Sequence, residues 1–290
     1  AARWSSSVKG SANSASTSLR LQSWRMGKAT TSGIGVFRLT QDAKAGSLER
    51  MPTTVNQIMA PGVDRIRAPL CWLFPPRCLV CGDIGLPGRD LCGACHAGLP
   101  RPRHACPHCA LPMPEAATCP ACTAQPPPLD AAHAAFDYAF PLDRLLPRLK
   151  FHRDFAAGRV LAQCMAERFA GLPRPQALLP VPLHRGRLRQ RGFDQALELA
   201  RPLARALDLP LHAGLLHRCR ATHAQSRLDA DARARNLRGA FRVDAGTALP
   251  AHVALVDDVM TTGATLHAAA KALRAAGVAR IDAWVCARVA

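Results

Sequence analysis

Aromatic residues are scarce in this 290-residue chain: Phe, Trp and Tyr together make up 5%. A core must therefore be aliphatic, and at 49% apolar residues the Leu, Val and Ala content is sufficient to build one. No uninterrupted apolar run approaches the roughly 18 residues of a membrane span, so none is expected. Residues 1–30 are rich in Ser, Thr and Arg and lack the apolar stretch of a signal peptide. Their acid-poor composition imitates an organelle transit peptide, but nothing else points to import, and the cytoplasm is the expected compartment. Acidic residues are also few: 20 Asp and Glu face 38 Lys and Arg, a formal net charge of +18. Such a balance suits a polyanionic partner. Arg, Ala, Pro and Gly are all abundant, however, as a coding bias would make them, and basic residues gather around the phosphate-binding segments described below. Charge alone therefore does not argue for nucleic acid. There is no internal repeat beyond paired cysteines.

Residues 1–58 are polar, Ser/Thr/Gly-rich and without sustained periodicity, and are expected to form a disordered extension. The chain begins with Ala, whereas Met51 and Met59 lie just ahead of the first organised segment; the expectation is an upstream extension joined to a protein whose working start is nearer Met51. Residues 59–77 should supply a short helix from Val63 to Phe74, with Ile66, Leu70 and Leu73 at helical spacing and Pro75 and Pro76 ending it. Residues 78–123 form a cysteine module, and 124–132 a Pro-rich linker.

From 133 to 290 the pattern becomes α/β. Strands are expected at Ala135–Tyr138, Ala177–Val181, 253–257 and Ile281–Cys286, with helices around 141–150, 156–170, Phe193–Leu207 (interrupted by Pro202) and Leu266–Ala276. Alternation of this kind predicts a parallel sheet with flanking helices, and ligands at the carboxyl ends of its strands. Residues 217–240 are mostly polar and basic, too long for an ordinary connection, and read as a mobile functional loop.

The cysteine module carries eight of the twelve cysteines, in four CxxC pairs: Cys78/Cys81, Cys92/Cys95, Cys106/Cys109 and Cys119/Cys122. Each pair places two thiolates on a tight knuckle, and two knuckles complete a tetrahedral zinc site. Eight ligands suit two Zn²⁺ ions, which would supply much of the stability of so short and apolar-poor a segment. Disulfides would need an oxidising compartment that nothing here indicates. The spacing leaves open which knuckles share an ion: first with second and third with fourth is the simplest pairing, and interleaving is the alternative. His96, His104 and His108 offer substitute ligands that eight cysteines make unnecessary. Cys71, Cys164, Cys219 and Cys286 read as inert thiols.

The other informative stretch is V-A-L-V-D-D-V-M-T-T-G-A-T, Val253 to Thr265. A buried strand ends in two carboxylates, Asp257 and Asp258, followed by a loop of Thr261, Thr262, Gly263, Ala264 and Thr265 at a helix N-terminus. Loop amides and hydroxyls at the positive end of a helix dipole can surround a phosphate. The carboxylates can accept hydrogen bonds from vicinal ribose hydroxyls, or hold Mg²⁺ through water. Upstream, L-P-V-P-L-H-R-G-R-L-R-Q-R-G-F-D-Q (179–195) follows a strand with a loop carrying Arg185, Arg187, Arg189 and Arg191, suited to a pyrophosphate leaving group. The 217–240 stretch, with Arg218, Arg220, Gln225, Arg233, Asn236 and Phe241 at its end, is suited to a lid. Lys150, in R-L-K-F-H, is placed either to reach a phosphate or to lie on a helix surface.

Residues 253–265 resemble the phosphoribosyl pyrophosphate (PRPP) motif of type I phosphoribosyltransferases. Four CxxC knuckles, then L-K-F, P-V-P-L with R-G-F-x-Q, Q with R-x-R-N and A-F, and V-D-D-V-x-T-T-G-A-T, follow in the order of the competence protein F (ComF/GntX-like) family, which the chain resembles over roughly 70–290. The resemblance implies a double zinc ribbon ahead of a type I phosphoribosyltransferase-like parallel sheet. It further implies that the Thr261–Thr265 loop holds the 5′-phosphate of Mg²⁺–PRPP, that Asp257 and Asp258 hold the ribose hydroxyls, and that Arg185, Arg191, Arg233 and Lys150 contact phosphates. Pyrophosphate would then be displaced by an acceptor for which no recognition segment is evident. The family's association with natural transformation implies single-stranded DNA and competence helicase-type proteins as partners. It also implies a second reading, in which a non-catalytic DNA-binding factor keeps the PRPP fold as scaffold or sensor. The chain departs from the family pattern at Asp194, where R-G-F-N-Q is usual; a carboxylate there adds negative charge beside the phosphate-binding segment.

Overall fold

The computed structural model describes residues 75–220, 237, 239–244 and 248–290. The expected extension (1–58), the Met51 start, the Val63–Phe74 helix, Cys71, and most of the expected lid, including Gln225, Arg233 and Asn236, lie outside the described residues. No helix among the described residues is long and apolar enough to cross a membrane.

The cysteine module has little regular structure: α1 (Gly93–Ala97), a minimal antiparallel ribbon of β1 (His104–Ala105) with β2 (Pro112–Met113), and α2 (Pro120–Ala124). The α/β region follows as β3 (Ala131–Asp137), α3 (Leu142–His152), α4 (Phe155–Phe169), β4 (Ala177–Pro180), α5 (Arg185–Arg191), α6 (Gln195–Leu207), β5 (Leu216–Arg218), β6 (Phe241–Val243), β7 (His252–Met260), α7 (Ala264–Ala275) and β8 (Arg280–Arg288). Strands β3, β8, β7 and β4 form one parallel sheet in that order, as the alternating pattern predicted. The central strands β7 and β8 carry the longest buried runs, as burial on both faces requires.

On one face α3, α4 and α6 lay Leu145, Leu149, Leu161, Met165, Leu199 and Leu203 against Leu178, Val256 and Trp284. The indole ring of Trp284 lies 5.1 Å from the ring of Phe169. On the other face α7 sets Leu266, Ala269, Ala270 and Leu273 on Leu179, Val253, Leu255 and Val285. Pro202 does not end α6, which continues to Leu207.

The cysteine module is built into both layers. Cys78, Leu91, Cys92 and Leu99 belong to the first core, and Cys106, Cys109, Cys119 and Cys122 to the second. The module also covers the edge of β3: the Ala132 N–H donates to the Pro107 carbonyl and the Asp137 N–H to the Pro100 carbonyl, each at 2.8 Å. An edge strand so covered cannot recruit a second chain.

Candidate functional site

The first two knuckles, Cys78/Cys81 and Cys92/Cys95, form one tetrad and the last two, Cys106/Cys109 and Cys119/Cys122, the other, so neighbouring knuckles pair. Within each tetrad the sulfur atoms lie within 4.8 Å of one another, and the Cys81–Cys92 and Cys109–Cys119 sulfurs are 3.6 Å apart. Four thiolates around zinc, with bonds of about 2.3 Å, stand about 3.8 Å apart, so both tetrads fit structural Zn²⁺. Backbone N–H groups of Cys95 and Cys119 donate to the sulfurs of Cys92 and Cys106 at 3.4 Å. Burial pushes the Cys78 thiol up, but hydrogen bonds from the Cys92, Cys81 and Val80 backbone outweigh it and bring it down to about 6. His96 is not a ligand; its Nε2 pairs with Glu167 on α4 at 2.8 Å, beside the Arg89–Glu167 ion pair.

The second candidate site lies at the carboxyl ends of β4 and β7, adjacent in the sheet. Asp257 and Asp258 stand within β7 rather than beyond it, with Asp257 opposite Val285 of β8. On the other side β4 stops at Pro180, and its ladder reaches only Val256, where the Val181 N–H still donates to the carbonyl at 2.9 Å. Past that point the acids serve the backbone themselves. Asp257 Oδ1 accepts from the Asp258 N–H and Asp258 Oδ1 from the Val259 N–H, both at 2.8 Å.

Lys150, near the end of α3, reaches across to Asp258, with Nζ 2.9 Å from Oδ2. Partly exposed itself, it partners an acid that is 8% exposed. Burial, and then the Asp258 charge, push the Asp257 carboxyl well above the ordinary value, with the Asp258 N–H and Lys150 pulling the other way. A further cation or hydroxyl donors brought to Asp257 would favour its ionised form.

Thr261 and Thr262 are exposed and lead to Gly263, which caps α7 at φ 75°. At this φ any other residue is strained, and a Cβ would also have to displace the Met260 methyl carbon, 2.6 Å away, so the turn favours glycine. Thr262 Oγ1 accepts the Ala264 N–H at 3.4 Å, and Ala264 and Thr265 open the helix.

The segment expected to be a loop carrying Arg185 to Arg191 is instead the helix α5. His184 caps it by accepting the Gly186 N–H, and Gly192 ends it at φ 80°. Arg, Leu and Gln are good helix formers; one apolar residue, Leu188, gave no periodicity from which to read it. Asp194 holds two backbone segments together. Its Oδ1 accepts the Leu197 N–H at 3.2 Å, capping α6, and its Oδ2 accepts the Leu183 N–H at 2.8 Å. Both oxygens serve donors here, whereas an amide offers one accepting atom for the two N–H groups. Asp194→Asn is expected to lower the unfolding free energy by about 1–2 kcal/mol, measured by denaturant titration; an unchanged midpoint would contradict the double role.

Arg218 on β5 lies close enough to Asp257 and Asp194 to feel both charges, with burial and Arg187 acting against its own. It lines a cleft of about 860 Å³ between α5, the start of α6 and the β5–β6 pair, together with Arg185, Phe193 and His217. Sequence reasoning placed Arg218 in a lid. Its proximity to the acids is tertiary and had no local signal.

Residues 69–123 match the double zinc ribbon domain family. Competence protein F of Haemophilus influenzae is 36% identical over 225 residues, covering 74% of this chain and 98% of that protein. DNA utilization protein YhgH of Salmonella typhi is 35% identical over 229 residues, 76% of this chain and 96% of that one. Competence protein ComFC of Bacillus subtilis is 26% identical over 202 residues, 67% of this chain and 81% of that protein. These similarities span both the cysteine module and the parallel sheet, and the chain belongs to the competence protein F family.

Proposed function

We propose that the β4–β7 end of the sheet binds Mg²⁺–PRPP and transfers its phosphoribosyl group, releasing pyrophosphate, in support of DNA uptake or use. The observation that carries this reading is the acid pair on β7 with the Thr261–Thr265 turn into α7 directly after it. Asp257 and Asp258 would accept hydrogen bonds from the ribose 2′- and 3′-hydroxyls, while the turn amides and Thr hydroxyls hold the 5′-phosphate at the N-terminus of α7. Arg185 and Arg191 on α5, and Arg233, would bind the pyrophosphate, and Lys150 would neutralise Asp258 and stand ready to contact phosphate. Mg²⁺ would bridge phosphate oxygens of the substrate. Displacement at the anomeric carbon would then owe its rate to positioning and to charge stabilisation of the leaving group. The cleft beside Arg218 is where an acceptor has room to approach.

The role in DNA uptake or use is supported by the names of the relatives, a competence protein and DNA utilization proteins. The decisive experiment is calorimetric titration with PRPP, with and without Mg²⁺. Binding that requires Mg²⁺ is expected, followed by pyrophosphate release once an acceptor is supplied. No detectable binding would reduce the site to a scaffold.

A further inference from the structure

His267 stands one helical turn into α7, and its backbone N–H donates to the Gly263 carbonyl at 2.8 Å. Helical side chains lean toward the N-terminus of their helix, so the imidazole turns back to the Thr261–Thr265 turn. There Nε2 lies 2.9 Å, and Cε1 3.1 Å, from the point where a Cβ on Gly263 would stand. The ring fills the space that the glycine leaves. Its Nε2 is buried and meets no hydrogen-bond partner among the described residues. An unmet ring nitrogen in such a place costs stability that an apolar side chain of similar size would not.

The groups around the ring limit what could meet it. Burial, and then the charges of Lys271 and Arg288, hold the imidazole below its ordinary pKa and keep it neutral, with one N–H to donate. Arg288 comes to the same turn from the end of β8. Its guanidinium donates to the carbonyls of Cys109, Met260 and Val289, and among the described residues it pairs with no carboxylate. The acids that precede the turn are already engaged, Asp257 and Asp258 with backbone N–H groups and Asp258 with Lys150. Positive charge from two elements and an idle ring nitrogen thus converge on the N-terminus of a 12-residue helix. An oxyanion suits that combination.

We propose that His267 is a further phosphate-binding residue, whose Nε2–H donates to an oxygen of a phosphate monoester seated in the Thr261–Thr265 turn. This rests on the turn being a phosphate site, and it adds a ligand that the motif itself does not contain. A monoester suits the arrangement because it has three terminal oxygens, enough for the turn amides, the threonine hydroxyls and this ring together. The free protein bears the cost of the unmet nitrogen, and the bound phosphate relieves it. Arg288 does not touch the ligand; its charge lies behind the turn and favours the anion through the backbone.

The test is calorimetric titration of the full chain with ribose 5-phosphate, a probe that carries the monoester and needs neither Mg²⁺ nor pyrophosphate. His267→Leu should weaken its binding about tenfold or more, as loss of a hydrogen bond to a charged group does. His267→Gln, whose side-chain amide can donate from near the place of Nε2, should recover most of that affinity. The thermal midpoint of ligand-free His267→Leu should be unchanged or higher, since an unmet polar atom has gone; a ring that only packs would give a lower midpoint and an unchanged affinity. In wild type the ¹⁵N resonance of His267 Nε2 should report a protonated nitrogen and move when ribose 5-phosphate is added. Equal affinity in wild type and His267→Leu, or an Nε2 resonance indifferent to saturating ligand, would overturn the assignment while leaving Mg²⁺–PRPP binding to stand on its own titration. Ribose 5-phosphate held through His267 without any binding of Mg²⁺–PRPP would uphold it and remove PRPP as the ligand. A wild type that binds neither compound would overturn both.

Discussion

Replacing Asp257 and Asp258 together by Asn is expected to weaken Mg²⁺–PRPP binding roughly 100-fold or more. Each carboxylate would lose a charge-assisted hydrogen bond to a ribose hydroxyl, worth about 1.5–3 kcal/mol, and two such losses multiply in the dissociation constant. The fold should tolerate the change. Each side chain accepts one backbone N–H through Oδ1, a bond that an amide oxygen can accept equally, and removing two crowded acids relieves the repulsion that raises Asp257. The pH dependence gives a second readout. The Asp257 carboxyl is held well above the ordinary range by burial and by Asp258, so its ionised form accumulates only as pH rises beyond that range. Affinity for PRPP should climb through that window, and Asp257→Asn alone should remove the part of the climb that belongs to this acid. Stability of the ligand-free protein runs the other way. A carboxyl whose folded pKa exceeds its unfolded one stabilises fully below the unfolded value, and that contribution is lost as pH rises through the folded value. Calorimetry across pH on wild type and variants checks both. An unchanged dissociation constant in the double variant would sink the ribose-clamp assignment.

How much of the fold and site is legible in the chain alone depends on where the information resides. The cysteine spacing announced its chemistry because four ligands must converge within a few ångströms, which only knuckles do; which knuckles pair was settled by chain geometry that spacing does not encode. The strand–acid–turn–helix order of 253–265 was readable because every level agreed: a fully apolar run, paired carboxylates, a glycine and then a periodic helix. Helix α5 was read as a loop because its arginines mask the apolar period, although His184 and Gly192 bracket it as a cap and a left-handed stop. Lys150 and Arg218 come to the acids from α3 and β5, elements far apart in sequence, and no local pattern marks such an approach. The same holds for the exposed rings of Phe140, just ahead of α3, and Phe151, near its end: no sequence pattern marks them, and only burial shows that they face outward.

Zinc removal should cost the whole molecule, not only the cysteine module. Structural zinc sites carry a large share of the folding free energy of the segments they organise, and here those segments are wedged into both layers of the sheet. The first tetrad is tied to α4 by ion pairs of Arg89 with Glu167 and Arg159 with Asp90, and to α3 by Arg148 Nη1 donating to the Leu79 carbonyl at 2.7 Å. The second is tied through Arg288, a residue 9% exposed. Its Nε donates to the Cys109 carbonyl at 2.9 Å and its Nη1 to the Met260 carbonyl at 3.2 Å, immediately before the Thr261 turn. Losing that knuckle would strand part of a buried cation, uncover the β3 edge and loosen the root of the phosphate turn at once. Cys109→Ser is expected to lower bound zinc from two ions to one and the thermal midpoint by about 10 °C, the shift that several kcal/mol produces in a protein of this size. In hydrogen exchange, the amide of Ala132 should lose protection together with the knuckle, since its acceptor is Pro107 between Cys106 and Cys109. A variant with a single zinc, an unaltered midpoint and a protected β3 edge would show instead that the sheet stands without its ribbon.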